Sequence, residues 1–507
     1  MAESTDCDVL VCGLGPVGQL LANLLGALGV RTVAVDSAAG PSRSPRAAAI
    51  DDEVLRILQG VGLDATVLAG AQVQRRVSFV TAAGAPLEVL RAADGRLGHP
   101  PLVSIHQPTM ERSLLDGLDR FAGVEVRWDQ RLVALDRAED RVTAWIRPAG
   151  APAPSPLAAR WVVGCDGSRS FVRGHLGVAF GGSSFAQRWL VVDVRCDRPV
   201  RRAPHPQFVG DPARPVVTLP MGPGRHRWEW LLRPEEDDAR ITDPDRVEAL
   251  LRPWRSGERL EVERAVVYTF QDRRAARWRV GRVLLAGDAA HVMPPFAGQG
   301  FASGARDAAN LAWKLAATIH GAPPALLDSY EAERAPHVAA MSALAVRWGG
   351  VVQTRSPWVA QVRDRLLTGA ARTSLADRVK PLPTYRAGAF VERPARLPWR
   401  RTVGALFPQP SVSTPASVAP VLLDDALGPG WAALTRGSAA AAPLRTAGLR
   451  VLELGSGLDD RTGTLAGWLD RAGGDFVVLR PDRHVFACGP AARAGDAAAA
   501  LRHLLGT

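Results

Sequence analysis

Residues 8–36 constrain the fold more than any other stretch of the chain. Asp8-Val9-Leu10-Val11-Cys12 has the apolar run of a short buried strand. Gly13-Leu14-Gly15-Pro16-Val17-Gly18 follows at once and matches Gly-x-Gly-x-x-Gly. An apolar helix is expected from about Gly18 to Leu28, then a strand Thr32-Val33-Ala34-Val35 ending in Asp36. Strand, glycine turn, helix, strand and acid in this order form a βαβ dinucleotide-binding unit. Gly13 permits the tight turn. Gly15 lets backbone approach a pyrophosphate, and Gly18 lets helix and strand pack closely. The helix N-terminus presents free N–H groups to the phosphates. Asp36 is placed to accept from ribose hydroxyls, and an acid there suits FAD or NAD better than NADP.

The same stretch explains an otherwise misleading feature. Val9 to Val30 carries no charge and is long enough to tempt a membrane assignment. Its five glycines and one proline fall in the ordered pattern above, and no basic segment precedes it, so neither a membrane span nor a signal peptide is expected.

With 507 residues, 47% hydrophobic and 22% charged, the chain has a globular composition and room for two or three domains. The formal charge of +11 comes almost wholly from arginine, because Lys314 and Lys380 are its two lysines. The arginines are scattered, not gathered in a stripe, so no nucleic-acid or membrane partner is expected. Cys7, Cys12, Cys165, Cys196 and Cys488 include no Cys-x-x-Cys pair. That argues against a disulfide framework, a metal site and dithiol chemistry, and fits a reducing cytoplasm. A homodimer is compatible with the sequence.

Two later segments carry further strand-to-turn signals. Trp161-Val162-Val163-Gly164-Cys165-Asp166-Gly167 runs from a strand into a Gly/Asp turn. Val283-Leu284-Leu285-Ala286-Gly287-Asp288 does the same. Pro294-Pro295-Phe296-Ala297-Gly298-Gln299-Gly300 then leads into a helix through Asp307, Asn310, Trp313 and Lys314. The Pro/Gly loop can aim backbone N–H groups at an anionic ligand edge, and its glycines leave room for a flat ring.

These three elements together resemble the class A FAD-dependent aromatic hydroxylases. Pro45-Arg46-Ala47, Ile50-Asp51-Asp52-Glu53, Gln187-Arg188-Trp189, Asp211-Pro212-Ala213-Arg214-Pro215, Leu422-Leu423-Asp424-Asp425 and Arg480-Pro481-Asp482-Arg483 resemble the 3-(3-hydroxyphenyl)propionate hydroxylase branch, which includes natural-product tailoring hydroxylases. The resemblance implies an α/β protein, α+β overall. A Rossmann-like FAD-binding domain with a long interdomain helix would comprise 1–75, 101–180 and 276–394. An inserted antiparallel-sheet substrate domain would comprise 76–100 and 181–275, and a thioredoxin-like C-terminal domain 395–507. Asp36 stands where the family usually has Glu, one methylene longer but with the same acceptors.

The implied FAD contacts are Gly13, Gly15, Pro16, Gly18, Asp36, Arg46, Gln107, Asp166, Gly287, Asp288, Pro295, Gly298, Gln299 and Gly300. Gln107 and Glu111 match a glutamine-plus-acid pair at a helix start, with Gln107 toward the flavin. A carbonyl near Pro294 would face the reactive oxygen, and Arg46 would contact the cofactor, which makes these two the catalytic candidates. His205, Phe208, Met221, Trp228 and Trp230 are candidate substrate-pocket residues on strand-like segments.

The implied reaction has NADH or NADPH reduce FAD and dioxygen form a flavin hydroperoxide, which hydroxylates a phenolic or other aromatic small molecule. A base that ionises the phenol would help, and the sequence does not identify it. Alternatives on the same fold are Baeyer–Villiger or epoxidising chemistry on a polyketide-type substrate, or a non-catalytic flavin carrier. The intact loop glycines argue against the carrier. Trp228-Glu229-Trp230 is similar to the start of a flavin-dependent halogenase signature, but it continues Leu231-Leu232-Arg233 and neither lysine is suitably placed.

Overall fold

The chain's structure, a computed structural model, describes residues 5–91, 96–371, 384–391, 402–415, 417 and 419–507. Lys380 lies outside these residues. The glycine-turn unit forms as expected, with strand Cys7–Cys12, helix Pro16–Ala27 and strand Thr32–Val35. The helix begins two residues before the expected Gly18, because Pro16 has the backbone angle a helix start needs and lacks an N–H that would go unpaired there.

These strands sit inside an eight-stranded sheet. Its parallel centre runs Val283–Leu285, Ser155–Gly164, Cys7–Cys12, Thr32–Val35, Val124–Arg127. The Cys7–Cys12 strand is fully buried, as a parallel strand covered on both faces must be. Helices Pro16–Ala27 and Gly300–Ile319 pack together, and both contribute to the largest apolar core. Val9 to Val30 is therefore strand, turn and helix. Among the described residues no helix is long and apolar enough to cross a membrane.

A second eight-stranded sheet lies beside the first. The long strands Phe180–Cys196 and Leu260–Ala275 pair antiparallel through most of their length, and Arg225–Leu231 and Val216–Pro220 continue the antiparallel order. The expectation of a purely antiparallel sheet needs one correction: Gln207–Val209 runs parallel to Arg76–Val80. The short strand His291–Val292 also joins this sheet at Arg273 and Arg274, so the Gly287 turn lies between a strand of the first sheet and a strand of the second.

The C-terminal unit has a four-stranded mixed sheet in the order Arg450–Glu453, Ala432–Thr435, Phe476–Leu479, Val485–Gly489. Its helices are Ser438–Thr446, Thr464–Ala472 and Ala494–Leu505. Buried charge joins this unit to the rest. Arg56 donates two 2.7 Å hydrogen bonds to Asp424. Glu333, in the long helix Asp328–Val352, accepts from Arg480 at 2.8 and 2.9 Å, from Lys314 at 2.9 Å and from the backbone N–H of Ala389 at 2.7 Å. The side chains of Glu333, Arg480 and Lys314 are wholly buried. Burial by itself would raise the Glu333 carboxyl, but Arg480 and Lys314 outweigh it and bring the group down from 4.5 to about 2.

Removing one partner from such a buried group leaves the others unpaired, at a cost of about 3–5 kcal/mol. Glu333→Gln should therefore lower the thermal midpoint by several degrees, and an unchanged midpoint would contradict the assignment. Because the folded-state value is depressed, this stabilisation is full above the ordinary 4.5 and is lost as pH falls toward about 2.

Candidate functional site

The two sheets enclose one cavity of about 1320 Å³. It starts at the glycine turn. Gly13 has φ +103°, and a Cβ there would lie 2.5 Å from the Cys165 carbonyl oxygen. A Cβ on Gly18 would lie 1.9 Å from the Gly13 carbonyl oxygen. Neither position tolerates a side chain. Gly15 differs: a Cβ there would meet nothing within 4 Å, because it faces the open cavity. Helix Pro16–Ala27 begins there without a side-chain cap, which leaves its first N–H groups to a ligand. Asp36 lines the cavity and accepts from the backbone N–H groups of Leu14 and Ala38, each at 2.8 Å. Asp166 also lines it, yet its carboxylate accepts from the Ser170 hydroxyl and the Val172 N–H, so it caps the following helix. Burial raises its pKa.

The middle of the cavity is built by the Gly287 turn and the Pro/Gly loop. Gly287 has φ +61°, and its N–H donates to Asp307 at 3.1 Å. Asp307 also takes 2.6 Å and 2.8 Å hydrogen bonds from His291 and Arg334, so the turn is fixed from behind. Asp288 faces the cavity and accepts no hydrogen bond from the described residues. Burial raises its pKa, while His291 and Arg46 oppose the rise. Pro295, Gly298, Gln299 and Gly300 line the wall. Gly298 is left-handed at φ +62°, and Cβ atoms on Gly298 and Gly300 would meet nothing within 4 Å. Helix Gly300–Ile319 starts without a side-chain cap, as the first helix does.

One candidate in this loop needs correction, and a second has a further role. Pro294 is buried and is not on the cavity wall. The Gln299 side chain accepts 2.8 Å from Arg306, which also binds Asp51 and Glu53, so Gln299 offers the cavity its backbone while its amide braces the loop.

Gln107 is likewise a brace. Its Oε1 accepts from the backbone N–H groups of Arg46 and Ala47, and its Nε2 donates to Glu111 at 2.5 Å. Burial raises the Glu111 carboxyl, and its second oxygen has no partner among the described residues. The other side of the loop is held by Arg227, which donates to the Arg46 and Pro45 carbonyls at 2.8 and 3.0 Å and to Asp193 at 2.6 and 3.0 Å. Arg264 adds a 2.6 Å bond to the Pro45 carbonyl. The exposed Arg46 side chain is thus carried on a clamped backbone beside the cavity.

The far end is an apolar face of the second sheet. Phe208, Val217 and Leu219 line it, together with Met341, Leu344 and Trp348 from the long helix. Phe208 stands where expected, and its ring meets Trp348 edge-on at 5.6 Å. Trp228 and Trp230 do not line the cavity. They stack 6.3 Å apart inside a separate core on the opposite face of the sheet. Side chains alternate along a strand, so Arg227 and Glu229 are the residues of Arg225–Leu231 that reach the cavity. Met221 is buried off the wall, and His205 bonds Ser78 at 2.8 Å away from it. Arg227, Glu229 and the helix stripe Met341, Leu344, Trp348 were missed. The alternation Arg-Trp-Glu-Trp and the helical spacing were their available signals.

These features fit an FAD. Two uncapped helix N-termini would face the anionic parts of such a molecule, three glycines leave open space where it would lie against backbone, and Asp288 is an acceptor with no donor among the described residues. The cavity exceeds the roughly 300–1,000 Å³ of a pocket for one small ligand. Among the described residues no cluster of metal-ligating side chains is found. Lys314 is engaged in the Glu333 cluster, remote from any halogenating role.

Residues 6–345 match the FAD binding domain family, and residues 404–504 match the HcaD C-terminal domain. The 3-(3-hydroxy-phenyl)propionate/3-hydroxycinnamic acid hydroxylase of Mycobacterium sp. (strain JLS) is 39% identical over 98% of this chain and 92% of its own. Aklavinone-11 hydroxylase, solved as a ternary complex with FAD and aklavinone, superposes with TM-score 0.81 at 25% identity over 100% of both chains. The flavin-dependent monooxygenase PieE, solved with FAD and substrate, gives TM-score 0.85 at 23% identity over 99% of this chain and 100% of its own, a likeness of fold.

A branched side chain at position 15 would occupy the open space against the turn. Gly15→Val should therefore sharply reduce the flavin absorbance that copurifies with the protein. Asp288→Ala should weaken FAD retention about tenfold or more, as loss of a buried charged acceptor does. Full flavin occupancy in both variants would show that the two turns do not share one ligand.

Proposed function

This chain belongs to the FAD binding domain family and is an FAD-dependent monooxygenase that hydroxylates an aromatic compound with NAD(P)H and dioxygen, and we propose that a phenol is the compound and that the cavity's two ends divide the labour. The observation that carries this reading is the continuity of the cavity. A phosphate-accepting glycine turn and an apolar sheet face line one space, so a dinucleotide and an aromatic ring can lie side by side.

When bound, FAD supplies hydride acceptance from the nicotinamide and activation of dioxygen. Gly13, Gly15 and the start of helix Pro16–Ala27 would hold its diphosphate, with Asp36 and Asp288 accepting from sugar and ribityl hydroxyls. Gly298, Gly300 and the start of helix Gly300–Ile319 would hold the ring's anionic edge through backbone N–H groups. The Gln107 brace and the Arg227 clamp fix the loop that carries Arg46 beside it. Phe208, Val217, Trp348 and Phe296 shape the substrate end and exclude water, which protects reactive oxygen from wasteful decay.

The first substrates to test are 3-(3-hydroxyphenyl)propionate and 3-hydroxycinnamate, because the relatives of similar length are named for them. The C-terminal unit reads as thioredoxin-like. A βαβαββα order with its first strand between the second and third supports that reading. The unit holds Cys488 alone, so its role is structural. Five buried, unbridged cysteines support a cytoplasmic setting.

Purified protein with FAD, NADH or NADPH and 3-(3-hydroxyphenyl)propionate under ¹⁸O₂ should yield a catechol carrying the isotope. Coenzyme oxidation that gives peroxide and unlabelled phenol would reduce the reading to an oxidase.

A further inference from the structure

One row of residues crosses the second sheet on its cavity face. Phe79 pairs with Phe208, Phe208 with Val217, Val217 with Glu229, Glu229 with Val191, and Val191 with Val266. Glu229 is the one polar residue in that row. It lines the cavity with its neighbours Phe208 and Val217. Its side chain is 12% exposed, and no described residue donates it a hydrogen bond. Its nearest cation, Arg227, stands 3.8 Å away. That guanidinium is already engaged by Asp193 and the Pro45 and Arg46 carbonyls. A carboxylate held on an apolar wall without a donor is a costly arrangement unless a ligand supplies the missing hydrogen.

We propose that Glu229 receives the substrate's phenolic hydroxyl and accepts its proton, acting as the catalytic base of the hydroxylation; this rests on the phenol-hydroxylating reading above. The phenol O–H bond breaks as an O–H bond forms on the Glu229 carboxylate. The electron pair left on the phenolic oxygen enriches the ring carbons ortho and para to it. Dioxygen and NAD(P)H, the co-reactants of the established activity, supply the oxygen atom that enters the ring and the two electrons, and the second oxygen atom leaves as water. The ring carbon that gains oxygen loses its hydrogen as a proton. Glu229 then returns its own proton to the phenolic oxygen and is again a carboxylate.

The surroundings suit this role. Burial raises the Glu229 carboxyl, Arg227 opposes the rise, and Asp193 adds to it. The shift is toward the value of about 10 for a phenol, which narrows the gap a proton must cross. Arg264, beyond Asp193, and Arg46, on the clamped loop, complete the charged groups around this wall. The substrate class follows: a phenol whose hydroxyl is free, with any acidic substituent directed away from Glu229.

The test compares 3-(3-hydroxyphenyl)propionate with its O-methyl ether on the full-length holoenzyme. Wild-type protein should bind the phenol about tenfold or more tightly than the ether, since the ether has no proton to donate. Glu229→Leu, flanked by Val217 and Val191, should bind the two equally. Glu229→Gln keeps a neutral acceptor, so it should retain part of the preference and full FAD content, yet yield about 10²-fold less labelled product per coenzyme oxidised. The proposal is overturned if wild type shows no preference, whether both compounds bind or neither does. It is equally overturned if Glu229→Leu keeps the preference or Glu229→Gln keeps wild-type product yield. Isotope reaching product from wild type, measured separately, reports on the monooxygenase reading alone.

Discussion

The guanidinium of Arg227 joins the two sheets around the cavity. It rises from the second sheet, is held by Asp193 on the adjacent strand, and donates to two consecutive carbonyls of the loop that follows Thr32–Val35. Five donors in a planar fork make this geometry available to arginine and not to lysine. Gln107 grips the same loop through its N–H groups from the opposite side. With both faces of its backbone engaged, the loop keeps a fixed position while leaving the Arg46 side chain free. This contact ties the Arg46 loop, part of the cavity wall, to the strand that also carries Glu229.

Buried charge plays a comparable part behind the other walls. Arg306 with Asp51 and Glu53 backs the Pro/Gly loop, and Asp307 with His291 and Arg334 backs the Gly287 turn. A satisfied buried ion pair adds little net stability over an apolar replacement, but it specifies one geometry. Short turns carrying glycine would otherwise have several conformations open to them. The ion clusters therefore fix the turns that must meet the ligand through backbone atoms.

What was legible in the sequence was local. The glycine turn at 13–18 and the strand-turn at 283–288 are contiguous, and their residue types follow from close backbone packing, so the pattern alone placed them. The substrate wall depends on which way a strand's alternating side chains point, and that phase is set by the partner sheet. Aromatic residues drew attention to Trp228 and Trp230, while the cavity received the charged Arg227 and Glu229 between and beside them. Gln107 was expected to address the ligand with its side chain, and Gln299 through its backbone N–H. The amides of Gln299 and Gln107 meet residues 248 and 61 positions away, respectively, such as Asp51 and Arg46, and no local pattern predicts those contacts. The Glu333 cluster draws on Lys314, Arg480 and Ala389, and was equally out of reach.

A crystal structure of the protein with FAD and a bound phenol tests the central claim most directly. The account predicts the diphosphate against Gly13 and Gly15, the isoalloxazine against Gly298 and Gly300, and the phenol between that ring and the Phe208–Val217–Glu229 wall with its hydroxyl on the Glu229 carboxylate. A flavin that reaches only one of the two turns, or an aromatic ligand seated on the Trp228–Trp230 face, would contradict it.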